Sequence, residues 1–195
     1  MTAAPIALDS PNQLRTERLL LRRWQDSDRE PFAALNADPR VMEFLPALLS
    51  RQESDAMIDR LEAHFERHGF GLWAVETDDG SCAGFVGLSV PRFDASFTPC
   101  VEIGWRLGPE HWGKGYATEG ARAALAFGFD TVGLSEILSF TVPANIGSRR
   151  VMEKIGMSCD REDDFEHPSL DIGHRLRHHV LCRISAPGRA RTIAE

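Results

Sequence analysis

Hydrophobic and polar positions alternate over short stretches of this chain, a spacing typical of strands that bury one face. In the clearest stretch, Val101, Ile103, Trp105 and Leu107 fall on one side of the chain and Glu102 on the other. The same pattern predicts further strands at residues 18–23, 70–76, 82–90, 136–142, 157–165 and 178–184.

Segments with helical spacing lie between several of these strands. Ser50 and Glu53 have the spacing of a capping box, and Asp26–Asp28 also supply helix-capping residues. A later helix is predicted to begin at Asn145, with Gly156 as its left-handed C-cap. Strands and helices in this order predict an α/β fold.

Composition supports one compact domain. The chain has 195 residues, 43% of them hydrophobic, and no internal repeat, low-complexity tract or linker. We therefore expect a single domain over residues 14–184, with flexible termini at 1–13 and 186–195.

Charge and cysteine content narrow the class of protein. The formal charge of −7 disfavours nucleic acid as the main partner. The four cysteines are scattered without a C-x-x-C pair, which argues against a zinc ribbon or a redox pair and is compatible with a reducing cytoplasm. No signal peptide is visible at residues 1–13, and no apolar run approaches the ~20 residues that span a bilayer. We expect a cytoplasmic protein with no membrane partner.

One glycine-containing loop carries the main functional signal. The string Trp-Gly-Lys-Gly-Tyr-Ala-Thr-Glu-Gly at residues 112–120 leads from the strand at 101–107 into a helix rich in small residues. A short loop with Gly113 and Gly115 around Lys114 leaves main-chain N–H groups unpaired at a helix N-terminus, where the peptide dipoles add positive charge. This arrangement predicts a phosphate or pyrophosphate site.

Two common phosphate-binding loops do not fit. The P-loop pattern G-x-x-x-x-G-K-[ST] does not occur. The dinucleotide pattern G-x-G-x-x-G fits Gly113 and Gly115, but Thr118 stands at its third glycine, and Gly120 comes two residues late.

The loop resembles [QR]-x-x-G-x-[GA], the pyrophosphate loop of the GNAT superfamily of acetyl-CoA-dependent N-acetyltransferases. Gly115 and Ala117 match this pattern, whereas Trp112 replaces its Gln or Arg. That departure resembles the RimJ/RimL branch, which acetylates ribosomal-protein N-termini and in which W-G-K-G-Y-A-T-E is common. The segments at 16–22, 101–105 and 142–157 resemble other conserved blocks of the superfamily, in its order and at its spacing.

The resemblance implies a GNAT fold: a mixed, mostly antiparallel seven-stranded sheet with helices on both faces. Its fourth and fifth strands, here 101–107 and 136–142, would splay apart to admit acetyl-CoA. The pantetheine arm would pair with the main chain of Arg106, Leu107 and Gly108, where an amide would also serve as oxyanion donor. The pyrophosphate loop comprises Trp112, Gly113, Lys114, Gly115, Tyr116, Ala117 and Thr118.

Three further residues receive chemical roles from the resemblance. Glu102 is the candidate general base, with a surface glutamate or a pair with Arg106 as the alternative. Asn145 would bind pantetheine or order a water, and as an alternative it is a plain N-cap. Ser148 would contact the cofactor thiol as hydrogen-bond donor or general acid. The alternative for Ser148 is a serine bonded to the carbonyl four residues earlier.

The implied reaction moves an acetyl group to a primary amine by direct attack in a ternary complex. The acceptor expected from the RimJ/RimL resemblance is a protein or peptide N-terminus. Alternatives are a small amine, such as an aminoglycoside, polyamine or amino acid, and a non-catalytic acyl-CoA sensor. No metal is expected, because adjacent His178 and His179 would point to opposite faces of a strand. The protein is expected to be a monomer or homodimer.

Overall fold

The computed structural model describes residues 13–187, and within them nine strands and four α-helices form one sheet with helices packed on it. The strands are β1 Gln13–Arg15, β2 Leu19–Arg22, β3 Leu72–Thr77, β4 Cys82–Ser89, β5 Glu102–Leu107, β6 Glu136–Thr141, β7 Ser158–Cys159, β8 Phe165–Glu166 and β9 His178–Ser185. The helices are α1 Arg29–Asn36, α2 Arg51–His68, α3 Tyr116–Ala126 and α4 Ile146–Lys154.

The sheet is mixed and mostly antiparallel, as predicted. Its order is β1-β2-β3-β4-β5-β6-β9-β7, and β8 also pairs with β9. Every pair is antiparallel except β5 with β6. The α/β fold class is confirmed.

The strand count differs from the predicted seven for two local reasons. An additional strand at Gln13–Arg15 pairs with β2. The predicted strand at 157–165 is interrupted by a 3-10 turn at Arg161–Asp163, because the Asp160 side chain accepts a hydrogen bond from the Glu162 amide. Only the ends of this segment, β7 and β8, pair with β9.

Helices cover both faces of the sheet. Phe32 of α1 lies with its ring 6.1 Å from that of Phe85 in β4. On the other face, Gly120 of α3 packs so closely on Val86 that an added Cβ would lie 3.3 Å from the valine side chain. Successive strand residues point to opposite faces, so α1 and α3 lie on opposite sides of β4.

The sheet splits between β5 and β6. These parallel strands have one paired position, Glu102 opposite Leu138. The Leu138 amide donates to the Val101 carbonyl at 2.9 Å, and the Ser139 hydroxyl donates to the Ile103 carbonyl at 2.9 Å. Beyond this point both strands continue without a further paired position in the described chain. The predicted splay of residues 101–107 and 136–142 is confirmed.

Two of the four scattered cysteines are paired, which the sequence did not predict. Cys159 and Cys182 form a disulfide, although 23 residues separate them. They stand opposite each other in the antiparallel β7–β9 pair, a proximity that sequence spacing does not reveal. Cys82 and Cys100 are free.

No helix within residues 13–187 is long and apolar enough to cross a bilayer. At the edges of the predicted domain, Gln13 pairs with Arg22, and the Ala186 amide donates to the Ser135 carbonyl. The remainder of the two predicted flexible termini, residues 1–12 and 188–195, lies outside the described residues.

Candidate active site

The glycine loop forms the exposed N-terminus of α3. Gly113 and Gly115 adopt positive φ angles of 73° and 85°, which only glycine adopts readily. The first turn-closing bond of the helix runs from the Glu119 amide to the Gly115 carbonyl. The amides of Tyr116, Ala117 and Thr118 therefore precede the helical ladder and have no intrahelical acceptor. Trp112 and Lys114 are exposed on the same loop.

Arg18 fixes this loop from outside. Its Nη1 donates to the Lys114 carbonyl at 3.0 Å, and its Nε donates to Glu119 at 2.7 Å. Glu119 also accepts from the Arg18 amide and the Thr16 hydroxyl, and these bonds lower the pKa of its carboxyl. The turn between β1 and β2 thus holds the start of α3 in place.

A groove of about 650 Å³ lies beside the loop. It is lined by Gly115, Thr118 and the cationic side chains of Arg18, Arg122 and Lys154. Glu17 and Glu119 also line it. Unpaired amides at a helix N-terminus next to cationic side chains suit a phosphorylated ligand.

Alternate residues of β5 direct their main-chain N–H and C=O groups into the split. The Gly108 amide donates to the Ala83 carbonyl of β4 at 2.9 Å. Strand amides and carbonyls alternate between the two edges, so Arg106 and Gly108 face β4, while Trp105 and Leu107 face the split. Of the predicted pantetheine contacts, only Leu107 therefore has main-chain groups directed into the gap. Its carbonyl already accepts a 2.7 Å bond from the Trp112 indole.

Glu102 lies on the same face of β5 as Arg106, whose side chain contacts α1 and α2. Its carboxylate accepts a 2.7 Å hydrogen bond from the Ser89 hydroxyl. Burial raises the pKa of Glu102 to about 7, and the Ser89 bond opposes part of that rise. Within residues 13–187 no ion pair joins Glu102 to Arg106, the alternative that the sequence left open.

Ser148 and Asn145 lie at the start of α4, on the opposite face. Asn145 is the N-cap, and its side chain accepts from the Ser148 amide at 3.1 Å and donates to the Thr141 hydroxyl at 3.0 Å. The Ser148 oxygen accepts a 3.2 Å bond from the Trp105 indole Nε1. Its own O–H has no acceptor among the described residues and remains available to a ligand.

Glu102 and Ser148 thus approach the split from opposite faces of the sheet. Because β5 and β6 separate after Ile103, a group lodged between them is open to both sides. A base on one face and a hydroxyl donor on the other can act on one reacting centre only at such an opening.

Sequence reasoning missed the open face beside Glu102. A Cβ added to Gly104 would meet no atom within 4 Å, so the strand borders empty space there. Gly104 lies between Glu102 and Arg106 on this face, because side chains two residues apart share a side. The only advance signal was a glycine inside a strand pattern.

The sequence also did not predict an aromatic cluster beyond β6. It contains six half-buried rings, each with its centroid within 6.3 Å of another: Phe93, Phe97, Phe140, Phe165, His167 and His179. Phe140 shares a face with Leu138, the partner of Glu102, so the cluster borders the same side. Burial lowers the pKa of His167 and His179. No group of three or more metal-ligating side chains occurs in the described part of the chain.

Comparison with known proteins shows the family to which this chain is similar. The acetyltransferase (GNAT) domain model matches residues 18–158. The Bacillus subtilis (strain 168) protein named "Uncharacterized protein YkkB" is 33% identical over 77% of this chain and 87% of its own length. The "FsC-acetyl coenzyme A-N(2)-transacetylase" of Aspergillus fumigatus is 32% identical over 74% of this chain and 64% of its own length.

A solved structure agrees with these sequence matches. The acetyltransferase (GNAT family) from Bacillus anthracis superposes with a TM-score of 0.73 at 26% identity, covering 89% of this chain and 98% of that one. Fold, loop and sequence similarity agree, and this chain belongs to the GNAT family of acetyl-CoA-dependent acetyltransferases.

Proposed function

We propose that this enzyme acetylates a primary amine by direct attack of the amine on acetyl-CoA, with a protein or peptide N-terminus as the leading acceptor. The observation that carries the proposal is the exposed start of α3 beside the β5–β6 split, with free amides at Tyr116, Ala117 and Thr118. The RimJ/RimL-like string at 112–119 supports the acceptor class. A cytoplasmic location is part of this proposal.

The loop holds the pyrophosphate of acetyl-CoA. Main-chain amides from Gly113 to Ala117 and the Thr118 hydroxyl supply donors, while Arg18, Arg122 and Lys154 supply positive charge in the adjoining groove. The pantetheine arm then enters the split along Trp105 and Leu107. Holding both reactants in place provides roughly 7–11 kcal/mol of the barrier reduction for well-oriented partners.

Glu102 accepts the proton that the amine loses as its nitrogen attacks the thioester carbon. A carboxyl whose pKa is raised to about 7 suits this role, because it is partly ionised at neutral pH and basic enough to take a proton. The empty space over Gly104 is where the acceptor amine lies.

Groups that border the split stabilise the oxyanion of the tetrahedral intermediate and the departing thiolate. The Leu107 amide, directed away from β4, donates to the oxygen that becomes negative in the tetrahedral intermediate. When the carbon–sulfur bond breaks, the Ser148 hydroxyl donates to the departing thiolate, while Trp105 holds the serine oxygen. Asn145 orients the start of α4 and contacts the pantetheine arm.

A small amine is the second candidate acceptor. It is favoured by the 32% identical relative from Aspergillus fumigatus, which is named FsC-acetyl coenzyme A-N(2)-transacetylase. Peptides and small amines would compete for the same open face next to Glu102.

The test is an acceptor panel in which free CoA release and acetylated product are both measured. Peptides with varied N-termini are compared with amino acids, polyamines and aminoglycosides. Acetylation of at least one primary amine, lost in Glu102→Gln at neutral pH, supports the proposal. Tight binding of acetyl-CoA without turnover on any amine would favour the sensor alternative instead.

A further inference from the structure

Arg106 is a cation in the acceptor face without a carboxylate partner. Its Nη1 donates to the Asn36 side-chain oxygen at 2.6 Å and lies 3.9 Å from the Met57 sulfur, and its Cζ lies 5.3 Å from the centre of the Phe85 ring. Within residues 13–187 no Asp or Glu oxygen lies within 4.0 Å of it.

Arg22 provides a comparison with Arg106, because it is an arginine that has carboxylate partners. It is buried, whereas Arg106 is partly exposed, and it pairs with both Asp28 and Glu76. Those partners raise the pKa of Arg22, whereas burial without a partner lowers the pKa of Arg106 to about 10. Arg106 is therefore a partly buried charge without a carboxylate partner.

The unused donors of Arg106 lie along one edge of its guanidinium. Nη1 is engaged, while Nε and Nη2 have no acceptor in the described chain. They are also not sealed from solvent, since the enclosed and unpaired side-chain atoms of residues 13–187 are the Trp73 Nε1 and the His111 Nδ1. The free edge of Arg106 therefore borders accessible space.

The open region above Gly104 lies next to Arg106 on the same face of β5. Glu102, Gly104 and Arg106 share one face of β5, and nothing occupies the region above Gly104. Arg106 lies two residues, or about 7 Å along the strand, from Gly104. A single amino acid or one short side chain spans such a distance.

We infer that Arg106 is a specificity-determining residue that binds a carboxylate of the acceptor, held by Nε and Nη2 while the acceptor amine lies over Gly104. The planar edge of a guanidinium matches the two oxygens of a carboxylate, and this pairing would give Arg106 the anionic partner that it lacks. The inference rests on the proposed N-acetyltransferase function and assigns the acceptor to the amino-carboxylates. The carboxylate belongs either to a free amino acid or to an acidic side chain at a peptide N-terminus.

The experiment compares kcat/KM for acceptors that differ only in this group. One arm uses free amino acids against their carboxamides, and the other uses C-terminally amidated peptides that begin with Glu against Gln. We expect the wild-type enzyme to prefer the carboxylate in one arm by about 10- to 100-fold, as charged hydrogen bonds provide. The arm that shows the preference identifies the source of the carboxylate.

Variants separate recognition from structure. Arg106→Gln should abolish the preference, so that kcat/KM for the charged acceptor falls to that of the neutral one. Arg106→Lys keeps the charge without the planar edge and should retain only part of the preference. Arg60→Gln, on the exposed side of α2, is the matched control and should retain it in full.

Two results would overturn the inference while leaving the proposed function intact. One is equal kcat/KM for both members of each pair with wild type, a measurement that needs no variant to fold. The other is an equal loss on charged and neutral acceptors in Arg106→Gln, with Arg106→Lys indistinguishable from wild type. Absence of turnover on any amine would instead refute the proposed function, and this inference with it.

Discussion

The indole Nε1 of Trp105 donates a 3.2 Å hydrogen bond to the hydroxyl oxygen of Ser148. This bond joins β5 to the start of α4 across the split in the sheet. It satisfies the serine oxygen as acceptor and leaves the serine proton free for a ligand. Trp105 therefore sets the direction in which Ser148 can donate.

Removing the Ser148 hydroxyl should slow the chemical step. We expect Ser148→Ala to lower kcat by about 10- to 100-fold while raising KM less, because the serine acts on the departing thiolate. Trp105→Phe removes only the indole N–H and should lower kcat by about fivefold, the value of one net hydrogen bond. Steady-state kinetics with one acceptor measures both.

The double variant tests whether the two residues act as a unit. Trp105→Phe combined with Ser148→Ala should be no slower than Ser148→Ala alone, because the indole would then have no serine to hold. If the double variant instead loses kcat by the product of the two single losses, Trp105 does not act through Ser148.

The pH dependence of the reaction should report Glu102. Its carboxyl, with a pKa raised to about 7 by burial, must be ionised to accept a proton. The rate should therefore rise as pH increases through about 7, and Glu102→Gln should remove this limb and lower kcat/KM by about 100-fold or more. A pH–rate profile that is the same in both proteins would refute the role of Glu102.

The same pKa makes an independent prediction about stability. Between the ordinary glutamate value of 4.5 and about 7, the unfolded chain is ionised while the folded one is still protonated. The free energy of unfolding should therefore fall as pH rises through this range. Glu102→Gln should lose this dependence and be at least as stable as wild type at pH 8. Urea titrations at several pH values measure the free energy of unfolding and also show that the variant folds.

The disulfide should stabilise the segment that carries β7 and β8. Cys159 is exposed and Cys182 is buried in β9, so Cys159→Ser opens the bridge without disturbing the buried partner. Closing a loop of this length contributes about 3 kcal/mol in the chain-entropy model. We expect Cys159→Ser to lower the free energy of unfolding by about this amount under oxidising conditions. Under reducing conditions the variant and wild type should differ little. An equal loss in both would show that the bridge does not form.

Much of the fold could be predicted from local patterns. Alternation located β3, β4, β5, β6 and β9, the capping box at Ser50 located the start of α2, and Asn145 located α4. These features depend on neighbouring residues, so one sequence is enough to detect them. The prediction of one strand at 157–165 was wrong, because Asp160 caps a turn within this alternating segment.

Motif and resemblance were enough to name candidate site residues. The roles of the loop at 112–118, Glu102 and Ser148 come from these two sources, and they stay predictions. The Trp105–Ser148 bond, the free edge of Arg106 and the Cys159–Cys182 bridge depend on contacts between distant segments. No spacing within a single sequence encodes such contacts.

In the proposed function, main-chain amides ahead of Thr118 hold the coenzyme, and calorimetric titration with acetyl-CoA measures this binding. Gly115→Ala forces a φ of 85° on an L-residue, and Gly133→Ala does the same at φ 77° in a turn outside the loop. Each substitution costs about 1–2 kcal/mol of backbone strain. Gly133→Ala therefore controls for stability.

Wild type should bind acetyl-CoA with a Kd below about 100 μM, within the usual range for enzyme substrates. Gly133→Ala should match it, and Gly115→Ala should bind about tenfold more weakly or worse. Equal affinity in Gly115→Ala and wild type, or no binding by the wild-type protein, would contradict the account.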